Sequence, residues 1–350
     1  MATTLIKNAD YLLIGNQKNE VLKKASLLIE ANKIKAINPL VNKADRVIDA
    51  RGKIILPGLI NTHHHLSQAF LRHVDELQNQ PIDKWINLMA KLTAKMDPEA
   101  YYYSAMVNLG GLLLSGCTTS VDMLYLFPKK YSHQEIFEAE IKAARDLGIR
   151  FHLFRGSMSL SQKDGALFPD EMVETSAEIK ARTEMMIEKY HDISDAAMLK
   201  IGIAPCTVFT NSEQDFLHAV KMAKKYDVNL QTHVSESEFE QKYILKKFKV
   251  TPVKYLQSLG WDDDRVSWVH GIEFNKQDLK LIKKGSQSVC HCPISNARVP
   301  IGQKGIAPIW EMLREKINVG IGVDGSAGND SSNMLEEMRW ARILQGARKD

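Results

Sequence analysis

The rhythm of the chain after residue 58 limits its fold more than any other feature. Short apolar runs alternate there with longer amphipathic ones. The short runs are GLINTH (58–63), CTTSVDM (117–123), IRFHLF (149–154), LKIGIAP (199–205), VNLQTHV (228–234), RVSWVH (265–270), QSVCHCP (287–293) and NVGIGVD (318–324). Helical patterns lie between them near 97–115, 133–147, 171–190, 212–226, 275–284 and 305–316. Strands separated by helices pair in parallel, because the crossover returns each strand to the same end of the sheet. Eight such units close into a (β/α)8 TIM barrel, which takes roughly 250 residues. The expectation is an α/β chain with a barrel over 58–350.

Residues 1–57 follow another pattern. YLLIG, ASLLIEANKIKAI, DRVIDA and KIILPG are short apolar or alternating runs broken by Asn, Asp, Gly and Pro. They predict small antiparallel strands in a separate N-terminal unit.

Composition excludes several classes. The net charge is only +4 over 350 residues, and the lysines are scattered. That argues against a nucleic-acid polymer as partner. No apolar run reaches the roughly eighteen residues a membrane span needs, so no membrane association is expected. The N-terminus, MATTLIKNADYLLIG, does not have the pattern of a secretory signal. Cys117, Cys206, Cys290 and Cys292 have no disulfide-framework or zinc-knuckle spacing. A reduced, cytoplasmic protein is expected.

The acids and histidines fall at telling places. His63 and His65 close the first predicted barrel strand, His233 the fifth, His270 the sixth and Asp324 the eighth. In a parallel barrel these ends gather around one mouth. His63 and His65 are two residues apart and share a strand face, which turns His64 to the opposite side. A carboxylate ending an apolar strand must be paired, hydrogen-bonded or metal-bound. Imidazole nitrogen and carboxylate oxygen are common zinc ligands. A lone histidine here is more often a packed core residue; the joint pattern points to a metal. Glu236, three residues after His233, is placed to overhang such a site and carry a proton. Gln68 and the loop RGSMSLSQKDGALFP (155–169), with Ser157, Ser159 and Gln162, supply polar groups to line a pocket. Trp85 and Phe70 are candidates for its apolar wall. DGSAGNDSSN (324–333) is expected to bend the chain sharply beside Asp324.

These segments are recognisable together. PGLINTHHHLSQ, GCTTSVD, GSMSLSQKDGALFPD, THVSESE, CHCPISNARV and GVDGSAGNDSSNML resemble the amidohydrolase superfamily. The resemblance covers essentially residues 1–350 and is strongest to the branch of 8-oxoguanine deaminase and the hydroxyatrazine and chlorotriazine hydrolases. It implies one divalent metal ion, commonly zinc and sometimes iron, with ligands at His63, His65, His233 and Asp324. It places an acid at Glu236 and a histidine at His270, both around the activated water. It also implies a small β-sandwich beside the barrel and a homodimer. Family members run longer and build the sandwich from both ends of the chain. The sandwich is therefore expected to be incomplete at the C-terminus here, with N-terminal strand edges left open.

The chemistry implied is hydrolytic deamination of a free amino-substituted nitrogen heterocycle, with a purine such as 8-oxoguanine or guanine as the leading substrate. Asp324 serves as base for the water, Glu236 protonates a ring nitrogen and His270 steadies the attacking oxygen. Gln68, Ser159 and Gln162 join Glu236 and His270 as candidate substrate contacts. One alternative is a triazine or related amidohydrolase that releases chloride or an alkylamine. An alternative of another class is a non-catalytic barrel used as a scaffold.

Overall fold

A computed structural model describes residues 2–348 apart from 17, 79, 81 and 299–305. The chain divides into two compact units: residues 1–59 with 194–197, and residues 60–193 with 198–350.

The first unit is a single five-stranded sheet built from β1 (Thr3–Leu13), β2 (Val21–Glu30), β3 (Lys33–Ile37), β4 (Arg46–Asp49) and β5 (Ile54–Ile55). Leu12, Ala25 and Leu27 form its buried centre, with Ile6, Ile14, Leu22 and Ile55 packed around them. The pairing differs from the all-antiparallel expectation. β1–β2 and β2–β3 are antiparallel, but β1–β4 and β1–β5 are parallel. Period-two alternation fixes which face of a strand is buried, not the direction in which it runs.

The second unit contains the barrel: β6 (Leu59–Asn61), β7 (His64–His65), β8 (Cys117–Leu124), β9 (Arg150–Ser157), β10 (Leu199–Pro205), β11 (Leu230–Val234), β12 (Val266–His270), β13 (Ser288–His291), β14 (Asn318–Ile321) and β15 (Asp324–Gly325). Eight strands form one parallel sheet in the order β14-β13-β12-β11-β10-β9-β8-β6. The first and last predicted strands are each split into two short pieces. β7 and β15 pair in parallel with Asp324 opposite His64, and the Thr62 N–H donates to Ile321 O at 3.0 Å. These bonds close most of the remaining gap.

The helices between strands begin where their caps dictate. Ser132–Glu135, Thr175–Glu178, Ser212–Asp215 and Asn275–Asp278 are reciprocal capping boxes. Each side chain satisfies one free N–H of the first turn. The helix predicted near 305–316 spans Ile309–Arg314, and its predicted start at 305 lies outside the described residues. Among the described residues, no helix is long and apolar enough to cross a membrane.

Candidate metal centre and active site

The barrel brings the predicted strand-end residues together. His63 and His65 come from the first strand, His233 from β11, His270 from β12 and Asp324 from β15. The β15–β7 register sets Asp324 beside His64, within reach of both His63 and His65. Asp324 Oδ1 lies 3.5 Å from His63 Nε2 and 3.4 Å from His65 Nε2. His65 Nε2 and His233 Nε2 are 3.2 Å apart. His64 turns the other way, as strand alternation requires. It is fully buried, its Nδ1 accepts the His65 N–H, and its Nε2 meets Ser332 Oγ at 3.1 Å.

The outer nitrogen of each site histidine is held. His63 Nδ1 meets Gln231 Oε1 at 2.8 Å, His65 Nδ1 meets Met123 O at 2.8 Å, His233 Nδ1 meets Cys206 O at 2.9 Å and His270 Nδ1 meets Asn296 Oδ1 at 2.8 Å. Two of these partners are backbone carbonyls, which only accept. His65 and His233 therefore carry their protons on Nδ1, and their Nε2 lone pairs face each other. Burial, reinforced by the neighbouring histidines, lowers His65 to about 3 and puts His233 well below the usual imidazole range. Both rings are neutral. Two lone pairs 3.2 Å apart repel unless a cation lies between them. His63 Nε2 is buried with no hydrogen-bond partner. Burial alone would raise the Asp324 carboxyl, but the surrounding imidazoles hold it well below its ordinary range. Three imidazole nitrogens gathered within 4.8 Å, with a carboxylate beside them, fit a divalent metal ion.

The backbone is bent at these positions. His270 (φ 75°) and Asp324 (φ 61°) lie in the left-handed region, as does Ser235 (φ 51°), just after His233 and Val234. Such conformations cost energy in non-glycine residues and persist where the surroundings enforce them, commonly at functional sites. Asp324 Oδ2 accepts from Ser295 Oγ at 2.6 Å, and the Asp324 N–H donates to His63 O. Two glycines make the close approach possible. A Cβ on Gly322 would lie 2.9 Å from His63 Cβ, and one on Gly325 would overlap Gln68 Oε1.

A cavity of about 760 Å³, its open mouth included, stands over this cluster. Glu236 and His270 face each other across it, with His270 Nε2 3.6 Å from Glu236 Oε1. Burial raises the Glu236 pKa; His270 opposes that shift and Asp324 adds to it. The Glu236 N–H donates to Glu240 Oε2 at 3.0 Å, so a second, fully buried acid holds the turn that presents Glu236. Gln68 lines the cavity and accepts the Ala327 N–H. Trp85 also lines it, whereas Phe70 is 55% exposed and is not part of the wall.

Ser159 and Gln162 are placed elsewhere. Ser159 Oγ donates to Asp215, and Gln162 Nε2 donates to Leu167 O on the exposed side of the loop. The same loop turns Leu167 and Phe168 into the cavity instead. Its polar residues satisfy helix caps and turns, leaving its apolar residues to face the interior. Gln231, Tyr125, Asn296 and Ser295 are site residues that the sequence reading missed. Gln231 lies two residues before His233, and strand alternation could have placed it on the same face.

The fold and this constellation form a candidate divalent-metal centre at the mouth of an α/β barrel. The chain belongs to the amidohydrolase family, whose model matches residues 54–349. It falls in the metal-dependent deaminase and hydrolase branch. The 8-oxoguanine deaminase of Pseudomonas aeruginosa is 38% identical over 300 residues, covering 86% of this chain and 66% of that protein, just under two thirds of its length. Hydroxydechloroatrazine ethylaminohydrolase of a Pseudomonas species is 30% identical over 99% of this chain and 73% of its own. The crystal structure of an atrazine chlorohydrolase from Arthrobacter aurescens, complexed with zinc, superposes with a TM-score of 0.90 at 30% identity, covering 98% of this chain and 76% of that one.

Proposed function

We propose that His63, His65, His233 and Asp324 hold one divalent metal ion, zinc ahead of iron, and that the site hydrolyses an exocyclic substituent from a ring carbon of a free, planar nitrogen heterocycle. The observation that carries this is the set of Nδ1-anchored histidines, with His63 and His65 Nε2 facing the Asp324 carboxylate and His233 Nε2 facing His65 Nε2. When bound, such an ion supplies a Lewis-acid centre that makes water a nucleophile near neutral pH.

The chain's own groups supply the rest. Asp324 takes a proton from the attacking water. Glu236, whose pKa burial raises, is the group placed to carry a proton to a ring nitrogen, which makes the adjacent carbon more electrophilic. With its Nδ1 fixed by Asn296, His270 presents Nε2 to the water and orients it. Proton transfer to the departing group then releases it and leaves a ring carbonyl or hydroxyl.

An amino-triazine carrying alkylamino groups fits the cavity better than a purine. Trp85, Ile86, Leu167, Phe168, Phe209 and Phe239 form an apolar side of the cavity, opposite polar groups that include Gln68, Glu236, His270 and Asp324. An oxidised purine offers donors and acceptors on every edge, and burying them against such a wall costs roughly 1–3 kcal/mol per unmatched group. The identity to an 8-oxoguanine deaminase supports purine deamination as the second reading.

A product screen separates the two. The metal-reconstituted protein is incubated with alkylamino- and chloro-triazines, guanine and 8-oxoguanine, and alkylamine, chloride and ammonia are measured. Amine or chloride from triazines, with little ammonia from purines, is the expected outcome. Preferential ammonia release from 8-oxoguanine would reverse the order.

A further inference from the structure

Three chain segments frame one side of the cavity mouth, each following a barrel strand. The segment after β7 lines the cavity with Gln68, Trp85 and Ile86, the one after β13 with Ser295, and the one after β15 with Gly328. Among the described residues, no backbone hydrogen bond joins residues 72–78 to the other two segments. Side chains make the connection. Arg298 stands between them: its Nη1 donates to Asp330 Oδ2, and its Nη2 donates to Gln78 Oε1 at 3.0 Å. The other oxygen of Asp330, Oδ1, is buried without a hydrogen-bond partner, and His73 Nε2 lies 3.7 Å from it. Arg72 Nη2 adds contacts to Ser326 Oγ and Ser332 Oγ, each at 3.3 Å. The loop that carries Asp330 is itself held, because Asn329 Nδ2 donates to Val323 O at 2.5 Å and the Gly328 N–H donates to Gly325 O at 3.0 Å. Asp330 is therefore a fixed post, and Arg298 ties the Gln78 segment to it.

We propose that Arg298 and Asp330 form a side-chain strap across the mouth, which holds the Gln78 segment in place and limits the bulk of what can enter. Neither residue lines the cavity, so both act by position. Their side chains are 32% and 33% exposed, which opens the pair to screening by salt. An exposed ion pair of this kind is weak enough to break and re-form, and its loss shifts the closed population by up to about fivefold. The strap stands on these contacts alone. The size limit rests on the proposed function.

The test reads access to Trp85 in the full chain with Trp310→Phe and Trp340→Phe, since Trp261 and Trp268 are fully buried. Quenching by acrylamide, which is uncharged, is measured across a salt series. With the strap intact, the quenching constant is expected to be low at low salt and to rise by up to about fivefold at high salt. Arg298→Met and Asp330→Asn are expected to be high at low salt and flat against salt, and the double variant no higher than either single one. Arg298→Lys, which keeps the charge, is expected to keep the salt response, and so is Lys189→Met, which breaks the distant exposed pair with Glu138. A salt-flat parent, or an Arg298→Met protein that quenches like the parent, overturns the strap. The second arm compares kcat/KM for triazines bearing a small or a bulky N-alkyl group. Arg298→Met is expected to raise the bulky-to-small ratio, and an unchanged ratio overturns the size limit. Absence of turnover in every form, the wild type included, overturns the proposed function instead, and the quenching result still decides the strap.

Discussion

Each histidine of the cluster is useful because of the atom behind it. Met123 O and Cys206 O fix two of the rings by backbone, but His63 depends on a side chain, Gln231, whose own Nε2 is anchored on Thr62 O. Replacing Gln231 by Leu frees the His63 ring to rotate or change tautomer. The expected result is metal affinity lower by about 10–100-fold, measured by chelator competition, with the fold intact by circular dichroism. Glu236 acts on the substrate side. Glu236→Gln is expected to retain the metal and to lose turnover by about 10²–10⁴-fold. A variant with full metal and near wild-type turnover would remove Glu236 from the chemistry.

At the scale of elements, the site was legible where strand alternation governs and illegible where the chain departs from it. His63, His65 and His233 follow from the two-residue period and from the gathering of parallel strand ends. The break between β14 and β15 does not follow from alternation; the Gly-rich DGSAGNDSSN predicts a bend beside Asp324, but nothing in NVGIGVD splits the strand before it. The loop after β9 misled in another way. Ser159 and Gln162 look like pocket residues by type, but the Ser212–Asp215 cap and the loop backbone claim them. A further element-scale device supports the metal segment. Asp122 on β8 accepts the Leu66 N–H at 2.6 Å, just after His65, and interacts electrostatically with Glu140 on the helix His133–Leu147. Both acids are fully buried, and burial raises both pKa values, that of Asp122 to about 7. A raised folded-state pKa contributes stability that is complete below the unfolded carboxylate value and lost as pH climbs through the folded value. Glu337, raised by burial to about 8, acts in the same sense. The contribution of these acids to thermal stability is therefore expected to fall as pH rises from the ordinary carboxylate range to about 8, against the opposite contribution of the buried neutral histidines at the acid end. Glu140→Gln, which removes one of these titrating carboxyls, is expected to flatten part of that slope in melts across the pH series. An unchanged slope would mean that the pair is not its source.

For the whole molecule, the proposed metal donors lie where the barrel closes. His63 and His65 sit on its first strand, Asp324 on its last, and the short β7–β15 ladder joins them. His233 ties the seam to the far side of the barrel. An ion held by these four residues would bind only the closed barrel, so binding and folding are linked. With the free metal at 100 times its dissociation constant, the linkage amounts to about 2.7 kcal/mol. Chelation is expected to lower the melting temperature reversibly, with recovery on adding zinc, read by scanning calorimetry. The eightfold rhythm that predicts the barrel is carried by continuous apolar strands. The parallel pairing of β4 and β5 in the N-terminal sheet is not written in any local pattern.

The central claim is that one divalent ion on His63, His65, His233 and Asp324 makes this chain a heterocycle hydrolase. The most direct test measures metal content and released product on the same sample, before and after chelation and reloading. The account predicts one metal per chain, release of amine, chloride or ammonia from a planar nitrogen heterocycle, loss of both on chelation and return of both with zinc. Turnover that persists in the fully chelated protein would contradict it.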